Sequence, residues 1–195
     1  MRRPLSLPLL SRVFVQLKEI CFSGYEESLF KLAFSLAFYG AFRISELISR
    51  NKVGNGGLLL EDVHHSENQL SIYLKFSKTD IFGKGKWIVL NRMNGNVTCP
   101  VTCFEEFFNC RPKKGSILLI HEDGKALSIY QFLTIFRKCI GSLGLKEREY
   151  ASHSFRIGAA TQADLWGLSP MAIRKMGRWD SDRYKSYIRP HLVQE

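Results

Sequence analysis

Between residues 57 and 90 the chain changes period, and that change limits its possible architectures more than any other feature. LLLEDVHH, QLSIYLKF and KWIVL are short, lean toward β, and are separated by SEN and by DIFGKGK. Runs of this kind between turn-forming residues predict a three-stranded antiparallel sheet with a basic hairpin tip. The spacing on either side is helical. Helices, then a small sheet, then more helices make an α+β fold rather than an alternating βαβ one.

The helical expectations are specific. Residues 9–22 form one helix and residues 26–49 a second, where Leu29, Leu32, Ala33, Leu36 and Ala37 recur at helical spacing. Gly40 bends or breaks the second helix, and Ser45 is a local cap where helical spacing resumes. A helix over 101–110 opens at Pro100. SILLI is an extended connector and HEDGK a turn. Ser128 caps a helix running to about Ile140. Helices over 153–166 and 169–176 are split by Gly167, with Ser169 and Pro170 as cap and first-turn residue. Residues 180–188 form a last short helix.

A chain of 195 residues that is 45% hydrophobic has enough apolar side chain for one packed domain. Its longest apolar stretch, LFKLAFSLAFYGAF, is interrupted by Lys31 and Ser35 and is too short for a bilayer. Pro4, Pro8 and Arg12 interrupt the leucines near the start, which argues against a secretory signal. The chain carries 28 Lys and Arg against 18 Asp and Glu, a formal charge of +10, which favours a polyanionic partner. Cys99, Cys103 and Cys110 have C-x3-C-x6-C spacing with no histidine at ligand distance in sequence. They read as buried free thiols on a helix, and no metal site or cofactor is expected. GKGK at 83–86 lacks the spacing of a phosphate loop, and no helix follows it.

The polar outliers suggest chemistry. Arg43 and Arg156 stand among small and apolar residues, where an unpaired charge is costly. Arg43 can pair with Glu46 one turn on, and Arg156 can belong to a structural ion pair. Alternatively, both guanidinium forks meet the oxygens of one phosphate. His153 lies one helical turn before Arg156 and exchanges protons near neutral pH. Lys78 lies at the end of a strand. Tyr187 can act as a nucleophile once its proton is removed among cations. Each alone is more often structural. Together, two arginines, a histidine, a lysine and a tyrosine suit phosphoryl transfer to tyrosine.

These pieces resemble, in order, the boxes of the tyrosine recombinase (phage integrase) catalytic domain. GAFRISELI is similar to the first-arginine box, YLKFSKTDIFGKGKWIVL to the hairpin that carries a catalytic lysine, HSFRIGAA to the H-x-x-R box, GRW to the next box, and YIR to the nucleophile box. The phrasing is especially similar to Cre-like members, and it also resembles DIRS-like and Crypton-like eukaryotic mobile elements. The latter imply action in the nucleus; a prokaryotic source implies the cytoplasm. The likeness runs over roughly residues 9–190.

The resemblance implies a mostly helical catalytic core with a small three-stranded antiparallel sheet, spanning residues 1–195 as a single domain without the family's N-terminal DNA-gripping domain. It implies DNA cleavage and rejoining through a 3′-phosphotyrosine, on double-stranded DNA, by a homo-tetramer. Arg43 and Arg156 would hold the scissile phosphate, Trp179 would donate to it, and Tyr187 would attack. Lys78 would protonate the leaving oxygen and His153 would move a proton near the tyrosine. Glu46 would brace the site. Lys75, Lys84, Lys86, Arg174, Lys175, Arg178 and Arg183 would grip backbone phosphates. Seven residues separate Trp179 from Tyr187, one fewer than the family implies, so Tyr184 is a rival nucleophile. Lys84 and Lys86 are rivals for the lysine. The alternatives are a recombinase-derived module that binds DNA without cutting it, and a type IB topoisomerase-like enzyme.

Overall fold

A computed structural model of the chain describes residues 1–48, 57–75 and 84–193. Helix α1 (Leu7–Ile20) starts where the Ser6 hydroxyl accepts the Leu9 N–H at 3.2 Å. Its stripe of Leu9, Leu10, Val13, Phe14 and Leu17 is buried. Helix α2 (Gly24–Tyr39) is capped by Ser23 and buries Leu29, Phe30 and every residue from Leu32 to Phe38. A helix buried on so many sides is the centre of a domain, and the others pack around it.

The expected continuation to residue 49 does not occur. Gly40 ends α2, and Ala41 takes a left-handed backbone (φ 44°) that turns the chain sharply. A new helix of one turn, α3 (Ile44–Leu47), begins there. Its cap residue is Arg43, whose own N–H donates to the Glu46 carboxylate at 2.8 Å, so Ser45 has no capping role.

Strands β1 (Val63–Ser66), β2 (Gln69–Leu74) and β3 (Lys86–Asn91) form an antiparallel sheet in that order. Leu70 pairs with Leu90 and Ile72 with Ile88 on the buried face. Tyr73, Trp87 and His64 meet on the other face. The first expected strand starts late because Leu60–Asp62 is a 3-10 turn. Leu58 and Leu60 spend their backbone bonds on the SILLI segment instead: Leu118 N–H donates to Leu58 at 2.9 Å, and Leu60 N–H donates to Ser116 at 2.7 Å.

Helix α4 (Pro100–Cys110) covers the sheet and α2, and α5 (Ile129–Ser142) lies against α1. Ser128 and Gln131 cap α5 reciprocally. Cys99, Cys103 and Cys139 are buried thiols, but Cys110 is exposed at the end of α4, where that face runs out of cover.

Helix α6 (Ser152–Leu165) divides the interior. Phe155 packs with Phe34, Phe132 and Phe136 in the main core. Ala160 and Ala163 face a second cluster with Ile173, Trp179 and Tyr184. Helix α7 (Pro170–Gly177), capped by Ser169, and the 3-10 turn Asp182–Tyr187 complete that cluster. No helix among the described residues is long and apolar enough to cross a membrane.

Candidate active site

The corner after α2 organises the site. The left-handed Ala41 directs its carbonyl oxygen at two arginines. Arg156 donates Nη1 to it, and Arg178 donates Nη2 at 3.1 Å. Arg156 is 3% exposed and places its other terminal nitrogen on the Gly177 carbonyl at 3.1 Å. Burial, with Arg178 and Arg43 nearby, draws its pKa down to about 10, which leaves it a cation at neutral pH. Arg43 donates Nη1 to Glu46 at 2.9 Å, with a quarter of its side chain open to solvent.

Over Arg156 sit two rings. Its guanidinium carbon lies 4.8 Å from the Trp179 ring centre and 5.5 Å from that of Tyr187. The two rings are 4.9 Å apart. His153, on the first turn of α6, lies 6.4 Å from Tyr187 and nearly parallel to it. The indole Nε1 of Trp179 is buried and has no hydrogen-bond partner among the described residues. A buried N–H without an acceptor is costly, so an incoming oxygen would fill a vacant role. Burial, then the cations Arg156, Arg2, Arg189 and Arg43, hold His153 below its ordinary pKa and favour neutral imidazole.

Tyr184 is 5% exposed and belongs to the cluster with Ile173 and Trp179, whereas Tyr187 is only half-buried. Tyr187 borders a cavity of about 290 Å³ with Met1, Arg2, His153 and Arg189. Despite the short linker, Trp179 and Tyr187 meet. The linker runs as 3-10 structure, which rises about 2.0 Å per residue against about 1.5 Å in an α-helix. A residue that sequence reasoning missed anchors this segment. The Thr161 hydroxyl donates to the Tyr187 carbonyl at 3.2 Å and accepts the Arg189 N–H at 3.0 Å. Its position five residues past Arg156 in GAAT is the only signal for it.

Arg178, expected to grip DNA phosphates, does not reach the surface. It is 4% exposed, bonded to Glu46 at 2.8 Å and to the Gly40 carbonyl at 2.9 Å, and stacked over Phe42. Its two terminal nitrogens are committed to acceptors inside the fold, and its Nε is buried without a partner among the described residues, so this burial does not place it for the expected exposed grip on phosphate. Lys75 has its ammonium on Glu61 at 2.5 Å and Asp62 at 3.1 Å, which neutralises it locally. Lys84, Lys86, Lys175 and Arg183 are exposed, and Arg174 is partly so. Lys78 lies outside the described residues.

No family model matches the chain. A curated integrase/recombinase XerD homolog from Selenomonas ruminantium is 27% identical over 154 residues, covering 76% of this chain and 43% of that protein. Among solved structures, the XerH site-specific recombinase bound to difH substrate superposes with a TM-score of 0.70 at 15% identity, over 96% of this chain and 50% of that one. A lambda integrase dimer bound to a COC′ core site gives 0.68 at 16% identity, over all of this chain and 50% of that one. The Flpe–Holliday junction complex gives 0.60 at 13%, over 96% and 47%. The chain thus spans about half the length of the proteins it resembles.

Proposed function

We propose that this chain, which has the fold of a tyrosine-recombinase catalytic domain, cuts and rejoins DNA strands through a 3′-phosphotyrosine. The observation that carries this reading is the packing of the Trp179 and Tyr187 rings against the buried Arg156 guanidinium, with the buried Trp179 N–H unpartnered among the described residues.

The chemistry follows from those positions. Arg156 and the open side of Arg43 take the nonbridging oxygens of the scissile phosphate, and the Trp179 N–H takes one of them. Donors fixed before the reaction stabilise developing charge without reorganising, commonly the largest catalytic contribution. The Tyr187 oxygen attacks phosphorus and loses its proton toward the neutral His153. The bond from phosphorus to the 5′ oxygen breaks, and the proton that leaves with that oxygen is assigned to Lys78 from the resemblance of its hairpin box, since Lys78 lies outside the described residues. The tyrosyl phosphodiester keeps the bond energy, so a 5′ hydroxyl from another strand reverses the step and seals the DNA. Exposed Lys84, Lys86, Lys175 and Arg183 hold backbone phosphates, which fixes register and names no sequence. We infer that several copies, a tetramer, assemble on DNA; the lambda integrase neighbour is itself a dimer on its core site.

The test uses the purified chain and a library of nicked suicide duplexes. A denaturation-resistant protein–DNA adduct mapped by mass spectrometry to Tyr187, and absent in Tyr187→Phe, is the expected result. Salt-sensitive DNA binding with no adduct on any duplex would leave a binding module instead.

A further inference from the structure

Arg178 has no part in the roles just assigned, yet its contacts join two of the residues that have them. Its Nη2 donates to Glu46 Oε2 at 2.8 Å and to the Ala41 carbonyl at 3.1 Å; its Nη1 donates to the Gly40 carbonyl at 2.9 Å. Glu46 is the partner of Arg43, through both its backbone N–H and its Nη1. Ala41 is the acceptor for Arg156. One buried guanidinium therefore shares an acceptor with each of the two arginines expected on phosphate.

The backbone points the same way. Arg178 caps α7 in the left-handed region (φ 56°, ψ 45°), a place where glycine is the residue free of strain. Its side chain buries positive charge beside Arg156, and two guanidiniums, its own and that of Arg43, share the single Glu46 carboxylate. Arg178 thus sits in an unfavourable backbone and an unfavourable field. A neutral side chain would fill the space at less cost if packing were its only task.

We propose that Arg178 is a positioning residue for phosphate: it holds the Glu46 carboxylate and the Gly40–Ala41 carbonyls so that Arg43 and Arg156 present their remaining donors to one anion. With Arg178 removed, the Glu46 carboxylate keeps only its bonds to Arg43 and is free to turn and carry that guanidinium with it, and the Ala41 carbonyl loses the second donor that fixes its direction. The proposal rests on the cleavage reading for its kinetic form, but its core is anion geometry and can be tested apart from cleavage.

Arg178→Gly relieves the backbone while deleting the fork, and Arg178→Lys keeps the charge without the fork. Both are expected to bind duplex DNA as the parent does and to form the adduct about 100-fold more slowly at saturating DNA, the scale expected when a reacting group is misplaced by an ångström. Methylguanidine should restore part of the rate in Arg178→Gly and none in Arg178→Lys. Rates within about threefold of the parent, or slow rates that methylguanidine leaves unchanged, would overturn the proposal while an intact Tyr187 adduct upheld cleavage. Should the parent cut no DNA, the cleavage reading fails, and orthovanadate decides on Arg178. Its binding is read from Trp179 fluorescence in a Trp87→Phe, Trp166→Phe background. The parent should bind it and Arg178→Gly should bind it about tenfold more weakly; equal affinity, or no binding by the parent, sinks the idea.

Discussion

At the scale of single residues, the two terminal tyrosines separate by burial. Tyr184 supports the small cluster under Trp179, and Tyr187 lies on its edge above Arg156. Tyr184→Ala is therefore expected to cost about 3 kcal/mol of folding free energy, as for a buried aromatic cut to alanine. It should keep an adduct on Tyr187 in molecules that remain folded. Tyr187→Phe should melt in urea as the parent does and form no adduct. An adduct that vanished with Tyr184 at unchanged stability would reverse the assignment. His153 sets a second expectation. Its native pKa lies below the ordinary 6.5, so the folded chain binds fewer protons than the unfolded chain in that region. Its stabilising effect is present above pH 6.5 and is lost as pH falls through the lowered native value. Neutral imidazole is also the form that accepts the Tyr187 proton. Adduct formation should hold its rate down to pH 6.5 and fall only below it, and His153→Gln should flatten that acid limb. First-order rates measured from about pH 5 to about pH 8 check this.

At the scale of elements, most of the helices and the sheet were legible because their periods and caps are local signals. Ser128 with Gln131 and Ser169 with Pro170 announce helix starts through contacts a few residues long. The misread places depend on distant partners or rare backbone. Leu58–Leu60 looks like strand, but its pairing is with residues 116–118, a choice no local window reveals. Ala41 in the left-handed region carries no glycine to betray it. Arg178 ends a basic helix and so resembles a phosphate clamp; only the fold brings Glu46 to it. The candidate site was legible as a set of residue types in order, whereas its geometry came from the α2 corner and the 3-10 linker. The start of the chain shows how closely elements are fitted. Leu5 donates its N–H to the Ser154 carbonyl at 2.9 Å, crossing α6 at Gly158. A Cβ at Gly158 would stand 2.0 Å from the Leu5 carbonyl oxygen. Alanine in a helix interior is worth about 1 kcal/mol over glycine, but here the clash is with backbone and wins. Gly158→Ala is expected to destabilise by about 1–3 kcal/mol and to speed hydrogen exchange of the Leu5 amide. Raised stability with Leu5 still protected would show that the crossing can yield.

At the scale of the whole molecule, the charge of +10 divides into cations committed inside the fold and cations open to a partner. Arg156 and Arg178 are committed to internal acceptors, and Lys75 to Glu61 and Asp62. Arg178 and Lys75 should not release counterions by docking on the DNA backbone from the surface, and Arg156 is kept for the scissile phosphate alone. Lys86 of β3 and Lys175 of α7 are exposed and line one cleft, which Trp179 also lines. If that cleft follows the DNA backbone, each of these two neutralises a phosphate and contributes about 0.9 to the slope of log K against log salt. Changing both to alanine should then reduce the slope by about 1.8. Lys75→Ala should leave it unchanged, although it removes the same formal charge as either of the others. Fluorescence anisotropy of a labelled duplex over a salt series gives all three slopes. A Lys75 variant that lowered the slope as much as Lys86 or Lys175 would mean that net charge, rather than the arrangement of free cations beside the Trp179 site, governs binding. The two outcomes separate a surface built to receive a backbone from one that is merely basic.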